Sequence, residues 1–220
     1  MLSTGPELID IENLIKMILF HTATLYEAKA IIEWLSLQRT VGSEIKGLYR
    51  SHGMEYALWV SGIGKKAGRR IGEVIAFLGQ DSSVTKICNV GIAGCVDKNN
   101  PIGLGRWMKS VSLVDEGREK YELCIPSTTV SAKDLITVDQ PVIDRTAFVS
   151  QRGPNVWVDM ECYHLREGLS QAGKDANEAF PLSSFKVVSD HLEGERIEFR
   201  SLAEKYDQTI VDHLKTFLEL

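Results

Sequence analysis

The sequence predicts an α/β fold, and three observations carry that expectation. Apolar runs of strand length alternate with stretches of helical period along most of its 220 residues. Two predicted strands run into glycine-rich turns, at Ser61-Gly62-Ile63-Gly64 and at Asn89-Val90-Gly91-Ile92-Ala93-Gly94. Two others end in carboxylates, at Trp157-Val158-Asp159-Met160-Glu161-Cys162 and at Val187-Val188-Ser189-Asp190. Ligands of open α/β sheets sit beyond the carboxyl ends of strands, so Asp159 and Asp190 stand out among the 30 acidic residues. Each also fits a structural role, Asp159 as a helix cap and Asp190 as the start of a turn, and spacing does not separate the two.

Residues 1–14 are a polar lead-in with no assigned function, and residues 16–20 form the first strand. A helix follows from Thr24 as N-cap, with Leu25, Ala28, Ile31, Ile32 and Leu35 as its buried stripe. Glu27 lies on the margin of that stripe, in the first turn, where an acid also favours the helix dipole. Residues 44–49 and 55–60 make a hairpin around Ser51-His52-Gly53. The second of these strands enters the first glycine turn, and Ile71, Val74, Ile75 and Leu78 continue at helical spacing. Strand, glycine turn and helix together turn backbone amides toward a ligand. This turn matches neither the Walker A pattern nor GxGxxG, which argues against a nucleotide cofactor.

Residues 84–90 form a buried strand ending at the second glycine cluster. Residues 106–114 and 120–125 make an antiparallel excursion across Asp115-Glu116-Gly117. A short strand is expected over 128–131, after which residues 132–136 lead into a long stretch through Pro154 that reads as a lid, a site wall or a subunit contact. Residues 185–188 form a last buried strand, and Leu202, Tyr206, Ile210, Leu214 and Phe217 mark a closing helix.

Composition narrows the function. A net charge of −5 argues against nucleic acid or anionic membrane as a partner. No apolar run approaches the roughly 20 residues of a membrane span, so a single cytoplasmic domain over 1–220 is expected. Cys88, Cys95, Cys124 and Cys162 form no CxxC pair and read as reduced thiols. Glu161-x-x-His164 is half of a di-iron motif without its second copy, so neither a metal nor an organic cofactor is expected.

Glu27 after a first strand, Ser61-Gly62-Ile63-Gly64-Lys65, Asn89-x-Gly91-x-Ala93-Gly94, Val158-Asp159-Met160-Glu161 and Val188-Ser189-Asp190 occur in one order. In that order they resemble the nucleoside phosphorylase/nucleosidase superfamily, and within it the methylthioadenosine/S-adenosylhomocysteine nucleosidases. The likeness runs from residue 16 to the final helix. It implies a single-domain three-layer α/β/α sandwich around a mixed, partly barrel-like central sheet, a homodimer, a nucleoside substrate and water as nucleophile. By the same resemblance, Asp190 is the general acid toward the purine and Glu27 activates water. Glu161 holds the ribose hydroxyls over Met160, while Ser189, Gly91, Ile92, Leu135 and Ile136 complete the substrate contacts.

The chemistry asks for such a set on its own terms. Breaking an N-ribosidic bond creates a cationic sugar, an anionic leaving base and a need for a nucleophile on the opposite face. One carboxyl must hold a proton near neutrality, and another must stay ionised beside the ribose. Departures from the family pattern shape the expectation further. Ile92 stands where Ser or Thr is usual, and His21-Thr22-Ala23-Thr24 replaces the Gly-Asp-Pro phosphate loop, although Arg69 and Arg70 are nearby cations. Both changes point to hydrolysis. Leu135 stands where nucleosidases carry an aromatic over the purine; Trp157 reads either as a substitute wall or as core. Gly105-Arg106 replaces the usual Gly-Asp. The alternatives are a futalosine-type hydrolase, a nucleoside phosphorylase, and a non-catalytic nucleoside-binding or assembly subunit.

Overall fold

The computed structural model describes residues 15–218 apart from 115–119, 128, 130, 143, 173–179 and 195–198. The lead-in, the Asp115-Glu116-Gly117 turn and much of the strand expected over 128–131 therefore lie outside the described residues. β1 (Ile15–Thr22) leads into α1 (Leu25–Trp34), followed by β2 (Gln38–Arg39) and β3 (Leu48–Arg50). β4 (Tyr56–Val60) passes through the glycine turn into α2 (Lys66–Leu78), and β5 (Ser82–Cys95) follows. β6 (Gly105–Leu113), β7 (Lys120–Glu122) and β8 (Lys133–Thr137) precede α3 (Arg145–Arg152). β9 (Val156–Asp159), α4 (Cys162–Ala172), β10 (Leu182–Asp190) and α5 (Phe199–Leu218) complete the order.

β5 is long enough to pair three times. It runs parallel to β1 along its first part, parallel to β10 farther on, and antiparallel to β9 at Gly94 and Cys95. β10 continues to β6, β6 to β8 and β8 to β9, so five strands close into a barrel. Closure removes strand edges on that side, while the sheet extends from β5 through β1, β4, β3 and β2 on the other. α1 and α5 pack together over one face with Phe20, Cys88, Val90, Trp107, Phe185 and Val187. α2 and α4 cover the other, over Met17, Leu19, Trp59, Ile87 and Trp157. The result is the three-layer α/β/α arrangement with a barrel-like centre. α2 and α4 cross at Gly68 and Gly168, where a methyl on either would collide with backbone of the facing helix. Among the described residues no helix is long and apolar enough to cross a membrane.

Three expectations are corrected. Leu25 is 57% exposed, because the first turn of α1 points Glu27, Ala28 and Ile31 inward instead. β5 does not stop at Val90 but runs through the glycines. They make room rather than end the strand: a Cβ on Gly91 would lie 2.9 Å from Glu27 Oε1, and one on Gly94 would collide with Leu192. Residues 133–137 are a strand, not the lead into a loop, and the stretch beyond them contains α3, capped by Asp144. Asp134 made that run look polar, and its carboxylate is bridged by Lys120 at 3.0 Å and Lys109 at 3.3 Å.

Candidate active site

The carboxyl ends of β5, β9 and β10, the start of α1 and the segment after β8 meet at a cavity of about 330 Å³. Glu27 is aimed into it by its own helix start. Its Oε2 accepts from Thr24 N–H at 2.7 Å and from the Thr24 hydroxyl at 2.9 Å, a capping box that fixes the first turn. Its Oε1 accepts from Ile92 N–H at 3.1 Å. Glu161, at the start of α4, accepts from Gly64 N–H at 2.9 Å, so the glycine turn grips this carboxylate with its backbone. Gly62 and Gly64 hold φ of +89° and +80° to do so, a region costly for any other residue. Asp190, at the end of β10, accepts from Leu192 N–H and from the Ser189 hydroxyl, each at 2.7 Å.

Asp159 takes the cap role that its spacing allowed, accepting from Cys162 N–H at 3.1 Å, yet it also borders the cavity. Thr137 Oγ1 donates to it at 2.6 Å, and Lys186 Nζ lies 2.8 Å away with both side chains fully enclosed. Sequence reasoning missed Lys186. The signal was present: a lone lysine in the apolar run 185–188, where a charge is rarely buried without a partner.

One ammonium among several enclosed carboxylates sets the electrostatics. Burial alone would lower Lys186, but Asp159 and Glu161 outweigh it and hold the ammonium above its ordinary range. Burial pushes Glu161 up to about 7, helped by the charge of Asp159 and opposed by Lys186 and the Gly64 amide. Burial also raises Glu27, against the pull of Lys186 and of its hydrogen bonds. His21 is lowered to about 3 by burial and by Lys186, so it is neutral. The Ser61 hydroxyl is spent on Gly62 O at 2.7 Å, which makes His21 Nε2 the donor to Ser61 and Nδ1 the acceptor from Asn89.

Glu27, Ile92, Asp159, Met160, Glu161, Ser189 and Asp190 all line the cavity. Gly91 sits behind it, against Glu27 and Lys186. Leu135 and Ile136 do not reach it: Leu135 is core beside Met108 and Trp157, and Ile136 packs with Val96 and Phe148. The alternation of β8 buries both, and the wall is made by residues past the strand end, Val138, Pro141 and Val142, facing Leu192. Trp157, 1% exposed, is core. Arg69 and Arg70 are absent from the described lining, which contains four carboxylates and no Lys, Arg or His. A second cavity, of about 440 Å³, lies between the start of β6 and α5 beside Arg106, Trp107 and His213. No carboxylate is among its described lining, whereas the first cavity has four.

No protein-family model matches the sequence, and no curated protein matches it. Among solved structures, futalosine hydrolase of Helicobacter pylori strain 26695 superposes with a TM-score of 0.70 at 18% identity, over 94% of this chain and 99% of that one. The 5′-methylthioadenosine/S-adenosylhomocysteine nucleosidase of Neisseria meningitidis, in complex with methylthio-immucillin-A, gives 0.71 at 16% identity, over 92% and 100%. The Helicobacter pylori nucleosidase of the same description, with butyl-thio-DADMe-Immucillin-A, gives 0.69 at 19% identity, over 94% and 100%. The chain has the nucleosidase fold. Within the nucleosidase fold of this chain, Glu27, Glu161 and Asp190, far apart in sequence, border one hollow that Ile92 lines without filling.

Proposed function

We propose that the protein hydrolyses the N-glycosidic bond of a purine nucleoside with a modified 5′ position, such as 5′-methylthioadenosine or S-adenosylhomocysteine. Asp190 protonates the leaving base, Glu161 holds the ribose hydroxyls over Met160, and Glu27 activates water on the opposite face. The observation that carries this reading is the meeting of these three carboxyl groups at one cavity whose described lining has no cation. That size suits a small molecule, and an anion-poor nucleophile suits the charge. Enclosed carboxylates with raised pKa values are what acid–base catalysis at neutral pH asks for, and Glu27 and Glu161 both have them. Ser189 keeps one oxygen of Asp190 occupied and Leu192 N–H the other, which orients the acid at the strand end.

The test is incubation with a panel of purine nucleosides, with and without phosphate, followed by chromatography of base and sugar. Free base and free ribose product, independent of phosphate, are expected. Base release only with phosphate rejects hydrolysis, and binding without turnover of any nucleoside makes the chain a non-catalytic binder. The same reading carries an expectation of a homodimer, which light scattering checks.

A further inference from the structure

The wall of the cavity has an anchor outside it. Past Val138, whose N–H donates to Asp159 O at 2.8 Å, the main chain from 139 to 142 makes no hydrogen bond among the described residues. Pro141 has no N–H to give. Yet this segment supplies Pro141 and Val142 to the cavity, next to Val138. Its polar tether among the described residues is Asp139, which turns away from the cavity to meet Lys65 Nζ at 2.7 Å and His164 Nε2 at 2.9 Å.

Both partners belong to parts that hold Glu161. Lys65 follows Gly64, whose amide donates to Glu161, and His164 lies one helical turn beyond Glu161 on α4. His164 is a fixed post: its side chain is 6% exposed, its ring meets Tyr163 edge-on, and its carbonyl presses on Gly68 at the α2 and α4 crossing. Lys65 is half exposed, and a pair of that kind adds little to stability. What the cluster supplies is geometry.

We infer that Asp139 is a positioning residue, pinning the apolar wall of the cavity at a set distance from the carboxylate that holds the sugar. The inference rests on the nucleosidase reading for its effect on turnover, but not for the tether itself. Losing the tether lets the wall drift, and misplacement by about 1 Å can cost up to roughly 100-fold in rate.

The test compares wild type with Asp139→Ala, Asp139→Glu and Lys65→Met. In Asp139→Ala, the Val138 amide, which donates to Asp159 O at the root of the wall, is expected to exchange at least tenfold faster, with β10 unchanged. KM for the nucleoside turned over by wild type is expected to rise at least tenfold, by more than kcat falls. Lys65→Met gives a smaller change of the same kind, because His164 remains, and Asp139→Glu recovers part of the loss. Unchanged exchange at Val138 in Asp139→Ala overturns the inference. So does a fall in kcat and melting temperature with KM unmoved, which marks a merely structural residue. If wild type turns over no nucleoside, the proposed function fails, and exchange alone decides the tether.

Discussion

Replacing Glu161 by Gln tests the central electrostatic claim without touching the fold. Glu161 is 7% exposed and its carboxyl is raised from 4.5 to about 7, by burial first and by Asp159 second. A raised acid binds its proton more tightly in the folded state, so its contribution favours folding at low pH and is lost as pH rises through about 7. Relative to a neutral side chain, ionised Glu161 therefore costs roughly 3 kcal/mol at pH 8 and roughly 1 kcal/mol at pH 5. Gln keeps an oxygen for the Gly64 amide, so the hydrogen bond at 2.9 Å survives the change. Glu161→Gln is expected to be more stable than wild type by those amounts, read from urea unfolding of the ligand-free protein at the two pH values. At pH 8 that corresponds to about 6–12 °C in melting midpoint. Turnover moves the other way, since a neutral amide cannot oppose the growing sugar cation, and the wild-type kcat/KM should climb through pH 7 as Glu161 ionises. An equal stability difference at pH 5 and pH 8, or a variant less stable than wild type at pH 8, would refute the reasoning.

Asp190→Asn should lower kcat by roughly 10²–10⁴-fold, the range for a lost general acid, while the melting midpoint stays within about 4 °C; equal loss of activity and stability would make Asp190 a structural residue. Lys186→Met strands the carboxylate of Asp159 in a closed space and should cost about 3–5 kcal/mol in urea unfolding. Adding Asp159→Asn should recover most of that, and a single variant as stable as wild type would contradict the pairing. Gly91→Ala places a methyl 2.9 Å from Glu27 Oε1 and 3.3 Å from Lys186 Nζ. Steady-state kinetics should show at least about a tenfold drop, with a stability loss of roughly 1–3 kcal/mol, whereas unchanged kinetics would show that Glu27 tolerates displacement.

How much of this was legible in the sequence depends on whether a residue's signal is local. The elements that carry the site were: β1, α1, the glycine turn, β9, α4 and β10 all follow from periodicity and punctuation. Glu27 was visible as an acid on the margin of an apolar stripe, although the capping box that turns it inward also puts Leu25 in water. What was hidden depends on contacts between distant segments. β8 looked like a loop lead because Asp134 interrupts it, and only the lysines of neighbouring strands explain that acid. The glycines of β5 looked like a strand end because nothing local says that Glu27, Lys186 and Leu192 press on that strand. Leu135 and Ile136 were assigned to the site by family position alone, and the pleat of β8 sends both into packed clusters while the wall forms a few residues later.

The charge arrangement also bears on why the nucleophile should be water. Lys186 is enclosed among these carboxylates, and Asp159 holds it at 2.8 Å, backed by the Thr137 hydroxyl. His21, where phosphorylases keep a phosphate loop by resemblance, is neutral and committed to Ser61 and Asn89. A phosphate dianion entering beside Glu27 would therefore meet carboxylates without a free counter-charge in the described lining. At an effective dielectric of about 20, each unit of negative charge about 6 Å from a carboxylate is repelled by roughly 3 kcal/mol. Water carries no such penalty, and on the proposed reading Glu27, raised by burial but restrained by Lys186, takes its proton.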